Sequence, residues 1–522
     1  MRCHLFASLL TVVLSSGLGM QGMQQPEERA WLGVPMPSLG VNTPENIYKA
    51  GEFPPMPILA SQAPAGSADI KGKEIFQYVR DLAAISEQSR KAGEPLWGRI
   101  PGRLGDRLAA NYIKSKLNEF GLRDVRIDEV PMPPQWWPSA WQVTLLGNPA
   151  YGAATRDYVL QSAMPQPPSR PTGPGGTVAE LAYAGYGRDA DLIGRDFRNK
   201  VAVIRARPLP GALSTGDGVA EKLAVRGAVG LIAIMDWAVD LQVYLTWLGT
   251  DKMTVFAVSD AEGRFLEDVL AATEGVASPK VRIRLDSGLS DDLPTRNVVG
   301  MVRGRDHEYV IVSAHHDAYF YGANDNASGV GTLLALARHI ASRKTPPRHN
   351  YIFVATGAHH NGCAGARHFV QNNKELLNRC VIVLNAEHTA SLLEIEYPKV
   401  KAAWGSDGGV LVANTENPKW VSLVPDNHAL LGVFRDAIHR YGVTTLSKTW
   451  KSALGDVSPY HRAGYPVVQL MEVGKWYHTT ADIPASVSVP GLERTARAFA
   501  DFLADIDKRS RQEIWGTPER NR

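Results

Sequence analysis

The sequence runs to 522 residues, 44% of them hydrophobic and 21% charged. A typical domain holds about 150 residues, so more than one folding unit is expected, and the ordinary composition excludes wholesale disorder, a coiled coil and a collagen-like chain. A balance of 56 basic against 53 acidic side chains leaves a formal charge of +3, which gives no electrostatic footprint for nucleic acid.

Arg2 and His4 precede an apolar run from Leu5 to Leu18, with Gly17, Gly19 and Gly22 at its end. A run of about 14 residues falls short of the ~20 needed to cross a bilayer, so residues 1–22 read as a secretory signal peptide. The mature protein is expected to be secreted or periplasmic, and no later stretch is long and apolar enough to span a membrane. The 3 cysteines exclude a disulfide scaffold and a thiolate zinc module. Signal removal would leave Cys363 and Cys380, whose pairing in an oxidising compartment the sequence leaves open. Residues 23–68, rich in Pro, Gly and Met (Pro54-Pro55-Met56-Pro57), read as an extended lead-in.

Residues 69–133 carry two helical patterns. The clearer runs from Asp106 to Phe120, with Leu108, Tyr112, Ile113, Leu117 and Phe120 on one face and Gly121 as its stop. A second unit, 134–290, opens with Trp136-Trp137 and a loop dense in Pro and Gly from Pro165 to Gly176. It continues through a short strand at Val201–Ile204 and a helix at Ala220–Val225, and Gly227 leads into the apolar run Val229–Ile234. A third unit, 291–510, alternates apolar strands with helices and predicts an α/β fold with a mixed, mostly parallel sheet flanked by helices. Residues 511–522 read as a polar tail.

The histidines of the third unit are far from evenly placed. The strand Val310–Ser313 is followed by His315, His316 and Asp317, and Tyr351–Ala355 by His359 and His360. Val381–Leu384 is followed by Glu387 and His388, and Pro466–Met471 by Glu472 and then His478. Ligands of open α/β sheets bind beyond the carboxyl ends of the strands. Imidazole with carboxylate oxygen is the donor set of zinc or a similar first-row metal. One histidine after a strand is ordinarily a polar loop residue; four strands delivering such groups to one edge predict a metal site. Between the first two strands, the loop Gly322 to Gly329 leads into a helix at Val330–Ile340. Asp325 stands just before that helix, where the alternative role for Asp325 or Ser328 is an N-cap. His307-Glu308-Tyr309-Val310-Ile311 begins like H-E-x-x-H but has Ile311 in place of the second histidine. His316, His368, His388 and His461 read as polar neighbours.

His315-His316-Asp317, the Gly322–Gly329 loop, Asn385-Ala386-Glu387 and Tyr477-His478-Thr479 with Asp482 resemble the metal-site motifs of the M28 family of zinc aminopeptidases and carboxypeptidases. The segment Thr295 to Gly300 resembles the approach to that family's core. The middle unit, through Lys200 to Ile204 and Ala224 to Gly230, resembles the protease-associated domain inserted into such enzymes. The resemblance implies a zinc exopeptidase core with an inserted, smaller, β-rich α/β domain. It also implies one or two zinc ions, peptide substrates and, in the commoner case, aminopeptidase activity. His315 and Glu387 would hold one ion, His360 and His478 the other, and Asp325 would bridge them. Asp317 would sit behind His315, and His359 would be the general base. Two departures stand out. Glu387 occupies a place where the family usually has Asp, and His359-His360 stand where it usually has two glutamates. Neutral imidazoles leave the site two negative charges short of the family pattern, and slow hydrolysis is expected. The inserted domain is expected to wall the site against all but short peptides. A binding protein that keeps the fold without the chemistry, and a single-metal enzyme of the glutaminyl-cyclase kind, are the alternative readings. The oligomeric state is not set by the sequence.

Overall fold

The computed structural model describes residues 65–515 apart from 152–155, 208–217, 237–240, 291–292, 398–408, 425–427, 451–452 and 473, together with 30–31 and 34–35. The expected signal peptide and nearly all of the lead-in therefore lie outside the described residues.

Eight strands form the sheet that carries the histidines: β1 (Arg123–Val130), β2 (Thr295–Val302), β3 (Tyr309–His315), β4 (Asn350–Thr356), β5 (Cys380–Glu387), β6 (Lys419–Val424), β7 (Thr445–Trp450) and β8 (Val467–Met471). Their spatial order is β7-β6-β8-β5-β3-β4-β2-β1. The four central strands, β8-β5-β3-β4, run parallel. On one side β2 and β1 add antiparallel; on the other β6 pairs antiparallel with β8 and parallel with β7. The centre is where the sequence is most continuously apolar and β-branched, as at Val310-Ile311-Val312 and Val381-Ile382-Val383-Leu384. Strands covered on both faces need such runs. The sheet is mixed, with a parallel middle.

Five helices cover one face: α1 (Gly72–Lys91), α2 (Leu104–Glu119), α3 (Gly329–Ala341), α5 (His428–Arg440) and α6 (Val489–Ile506), while α4 (Ala364–Asn372) lies on the other. The pattern read at Asp106–Phe120 is α2, whose Ile113 and Leu117 are fully buried. Each such side chain contributes about 1.5–3 kcal/mol by leaving water. Between Gln135 and Ser290 the chain builds a second eight-stranded sheet with two apolar cores of its own. Lys200–Ala206, Gly230–Met235 and Thr254–Val258 run parallel at its middle, and Gln135–Leu145 pairs antiparallel with Lys280–Ser290.

Two details add to the sequence reading. The first residues of the supposed polar tail form a short helix, Arg511–Trp515. It is docked by the buried Ile514 and by the Trp515 indole, which donates to the Val381 carbonyl at 3.1 Å. Cys363 and Cys380 are both free thiols.

Candidate metal centre

Each histidine is delivered by the end of a central strand. β3 closes on His315, and Asp317 follows two residues on. After β4 the chain turns through Ala358, held at φ +58°, to present His359 and His360 before α4. Asn297 of β2 clamps this turn: its side-chain amide donates to the Gly365 carbonyl at 2.9 Å and accepts from the Gly357 N–H at 3.2 Å. His388 follows β5, and His478 lies on the segment after β8. Both adopt left-handed backbone, φ +46° and +59°, which costs non-glycine residues about 1–2 kcal/mol and is found preferentially at functional sites. Asp325 sits in the loop ahead of α3. At Gly322 (φ +54°) a Cβ would lie 2.2 Å from the Ala318 side chain and 2.5 Å from the Asp325 carbonyl oxygen, so only glycine fits. The backbone N–H groups of Asn324 and Asp325 donate to the Asp482 carboxylate at 2.7 and 2.9 Å. Asp325 therefore does not cap α3.

Four imidazoles meet at the Asp325 carboxylate, two on each oxygen. Oδ1 lies 3.1 Å from His388 Nε2 and 3.4 Å from His315 Nε2. Oδ2 lies 3.2 Å from His360 Nε2 and 3.3 Å from His478 Nε2. The other nitrogen of every ring is spoken for. Nδ1 of His315 meets the Asp317 carbonyl at 3.2 Å, and that of His360 meets Asp317 Oδ2 at 2.9 Å. Nδ1 of His388 meets the Glu472 carbonyl at 2.7 Å, and that of His478 the Tyr244 carbonyl at 3.2 Å. This is how metal-binding histidines are held, with the tautomer fixed from behind and Nε2 turned inward. Nε2 of His315, His388 and His478 and Oδ1 of Asp325 are buried with no hydrogen-bond partner, an arrangement a folded protein tolerates where an ion supplies the missing partner. The donor set fits zinc.

The charges agree. Burial depresses an imidazole, but at His360 the Asp325 and Asp317 carboxylates more than reverse it and hold the ring up to about 10. His388 is likewise depressed by burial and raised by Asp325 to about 9. His478 is driven down to about 3 by burial and the neighbouring His360 cation, and burial also lowers His315. Burial opposes ionisation of Asp325 and Asp317, yet the surrounding imidazoles keep both well below the usual carboxylate range. A cation bound here would compete with protons for these imidazoles.

The expected ligands are partly rearranged. His315, Asp325, His360 and His478 come together, but Glu387 does not reach Asp325. Its Oε2 accepts from the side-chain amides of Asn385 at 2.6 Å and Gln469 at 2.9 Å, and its Oε1 lies 3.7 Å from His359 Nε2. His388, read from the sequence as a polar neighbour, takes the place at Asp325. Ile382, Leu384 and Ala386 share the apolar core beneath α3, so Glu387, like Val383, faces the other side of the sheet, and the left-handed backbone just past the strand (φ +46°) turns His388 to the Asp325 loop. Glu387 still converges with His315 and His359 as a second group of possible ligands. Asp317, expected behind His315, is 3.6 Å from that ring and bonds His360 instead. It also accepts the backbone N–H groups of His359 and His360 at 3.0 and 3.3 Å. His359 stacks on His315 with ring centroids 3.9 Å apart, and its Nδ1 meets Asp456 Oδ1 at 3.1 Å. Burial would lower His359, but Glu387 and Asp456 raise it. Asp456, on a single turn after Gly455, carried no sequence signal.

The parallel centre of the α/β sheet thus converges four imidazoles on one carboxylate, a candidate metal centre. Residues 297–503 match the model of peptidase family M28, and the chain carries a domain of that family. It is 26% identical over 453 residues to aminopeptidase YwaD of Bacillus subtilis (strain 168), covering 84% of this chain and 86% of that protein. It is 25% identical over 389 residues to probable glutamate carboxypeptidase VP8 of Zea mays, spanning 51% of that protein. Among solved structures, a zinc aminopeptidase from Bacillus subtilis aligns with a TM-score of 0.60 at 21% identity, over 85% of this chain and 98% of that one. A peptidase M28 precursor from Shewanella amazonensis SB2B aligns at 0.62 and 18% identity, over 84% and 96%. At these identities the structures establish the shared fold.

Proposed function

We propose that the chain is a zinc-dependent exopeptidase, acting as an aminopeptidase on peptides. The carrying observation is the set of inward Nε2 atoms around Asp325, three of them buried without a partner. The near full-length match to a protein named as an aminopeptidase supports this polarity over that of the carboxypeptidase relatives, which match over shorter spans. His315 and His388 would hold one ion and His360 and His478 another, with Asp325 between them. Zinc bound there would supply a Lewis acid for the scissile carbonyl and lower the pKa of the attacking water.

The chain's own groups do the rest. Asp317 holds the His359-His360 turn and the His360 ring. His359 serves as general base, its Nδ1–H held by Asp456 and its Nε2 free to take up a proton. Glu387, 3.7 Å from that nitrogen, stabilises the imidazolium. The unit between Gln135 and Ser290, proposed as a protease-associated domain, limits access to short peptides. The apolar run at Leu5–Leu18 is the basis for proposing export. The test is metal analysis of purified protein with hydrolysis of aminoacyl-nitroanilides and of amino-terminally blocked peptides. Bound zinc with cleavage of the former alone is expected; cleavage of the blocked peptides alone would make it a carboxypeptidase, and absence of zinc would remove the proposal.

A further inference from the structure

The second sheet does more than cover the site. The segment that carries His478 is embedded in it: Trp476 and Ala481, on either side of the histidine, belong to the apolar core formed by Leu241, Val243, Leu245 and their neighbours in the inserted unit. Loop 241–245 runs along this segment as a short antiparallel bridge, with Val243 opposite Thr479. The Tyr244 N–H donates to the His478 carbonyl at 3.0 Å, and the Thr480 N–H donates to the Gln242 carbonyl at 3.1 Å. The Gln242 N–H donates in turn to the Thr480 hydroxyl at 3.1 Å. The Tyr244 carbonyl then faces His478 Nδ1. Among the four imidazoles at Asp325, His478 alone has its second nitrogen held by a residue from outside the sheet that carries the others.

That loop is itself pinned by one side chain. Gln166 is completely buried, and its amide donates to the Val243 carbonyl at 2.8 Å and the Met164 carbonyl at 2.9 Å. Its own oxygen accepts the Leu245 N–H at 2.8 Å. The two bonds to Val243 and Leu245 bracket Tyr244 and fix the direction of its carbonyl. We propose that the inserted unit is a structural component of the metal centre, with Gln166 as the positioning residue that orients His478 through the Tyr244 carbonyl. This rests on the metal-centre reading above. Hydrogen-bond partners of metal-bound histidines fix ring and tautomer, and losing them typically weakens binding by about 10–100-fold.

The experiment is zinc affinity of the full chain by competition with a chromogenic chelator, with the melting temperature of the chelator-treated protein measured alongside. Gln166→Leu keeps the bulk and removes the bracket; Thr480→Val removes the acceptor of the Gln242 N–H while keeping the backbone pairing. Both are expected to weaken zinc by at least ~10-fold and to shift the visible spectrum of the cobalt-loaded protein. Ser162→Ala, which loosens the same unit at Glu262, should lower the melting temperature without changing zinc affinity. Should Gln166→Leu fail to fold, Thr480→Val decides. Unchanged affinity in the folded variants, with binding abolished by Asp325→Ala, overturns the proposal and leaves the metal centre standing. Equal weakening by Ser162→Ala also overturns it, since the effect would be general loosening. No zinc on the wild type removes the metal centre, and this proposal with it.

Discussion

At the scale of single residues, the centre is distinguished by nitrogen. Four imidazoles meet one carboxylate at the proposed metal position, and the carboxylate that could have lowered its charge, Glu387, is turned to the amides of Asn385 and Gln469. The ligand at that strand end is therefore assigned to His388. His388→Ala should weaken zinc by at least as much as losing an outer partner does, about 10–100-fold, whereas Glu387→Gln should leave bound zinc at the wild-type level after dialysis. The reverse result would return the role to Glu387. His359, gripped by Asp456 and stacked on His315, is the residue proposed as general base. His359→Ala should lower turnover by about 10²–10⁴-fold, the usual worth of general acid–base assistance, while metal content stays unchanged. Loss of zinc in that variant would instead place His359 among the ligands.

At the scale of elements, the parallel strands were legible because each is a short β-branched run closed by polar residues. Placing histidines beyond their ends required only the rule that α/β sheets bind at that edge. What strand ends do not announce is direction. Alternation along β5 turns Glu387 away from the Asp325 loop, but His388 reaches it through a left-handed residue just past the strand, which no apolar pattern announces. Strands β6 and β7 were not legible, since their sequences mix charge and aromatics without a clean period, and the antiparallel pair Leu392–Tyr397 with Gly409–Glu416 was missed although Leu393, Ile395 and Tyr397 alternate with Glu394 and Glu396. Loop 316–322 is held by a device no periodicity reveals. Arg99 is fully buried, and its guanidinium donates to the carbonyls of His316 at 2.7 Å, Tyr321 at 2.8 Å and Gly322 at 2.8 Å. Arg99→Met would leave the buried His316 carbonyl without its donor, worth about 1–3 kcal/mol, while the Tyr321 and Gly322 carbonyls would keep the Ser86 hydroxyl and the Ala327 N–H. A loss of about 1–3 kcal/mol is expected in urea unfolding, with weaker zinc binding, because the loop carries Asp317 and leads to Asp325. A variant as stable as wild type would show that the His316 carbonyl finds another partner.

At the scale of the whole molecule, two sheets with separate cores share one stretch of chain. Trp476 and Ala481 lie in the core of the inserted unit, and Asp482 holds the backbone of Asn324 and Asp325 in the other. An ion at Asp325 would thus be bonded to a segment that both units need, and its stabilisation should reach both. With free zinc at about 1,000 times its dissociation constant, mass action adds about 4 kcal/mol, which for a cooperative body of about 450 residues corresponds to roughly 4 °C in melting temperature. Calorimetry of zinc-loaded protein should show a single transition in which both units unfold together. Chelator should lower it by about that amount, and Asp325→Ala should remove the response to zinc altogether. Hydrogen exchange reads the two units separately: chelation should speed exchange in loop 241–245 as well as in the Asp325 loop. If exchange rose around Asp325 while loop 241–245 stayed as protected as before, the shared segment would not transmit the metal's stabilisation, and the two units would be joined without being coupled.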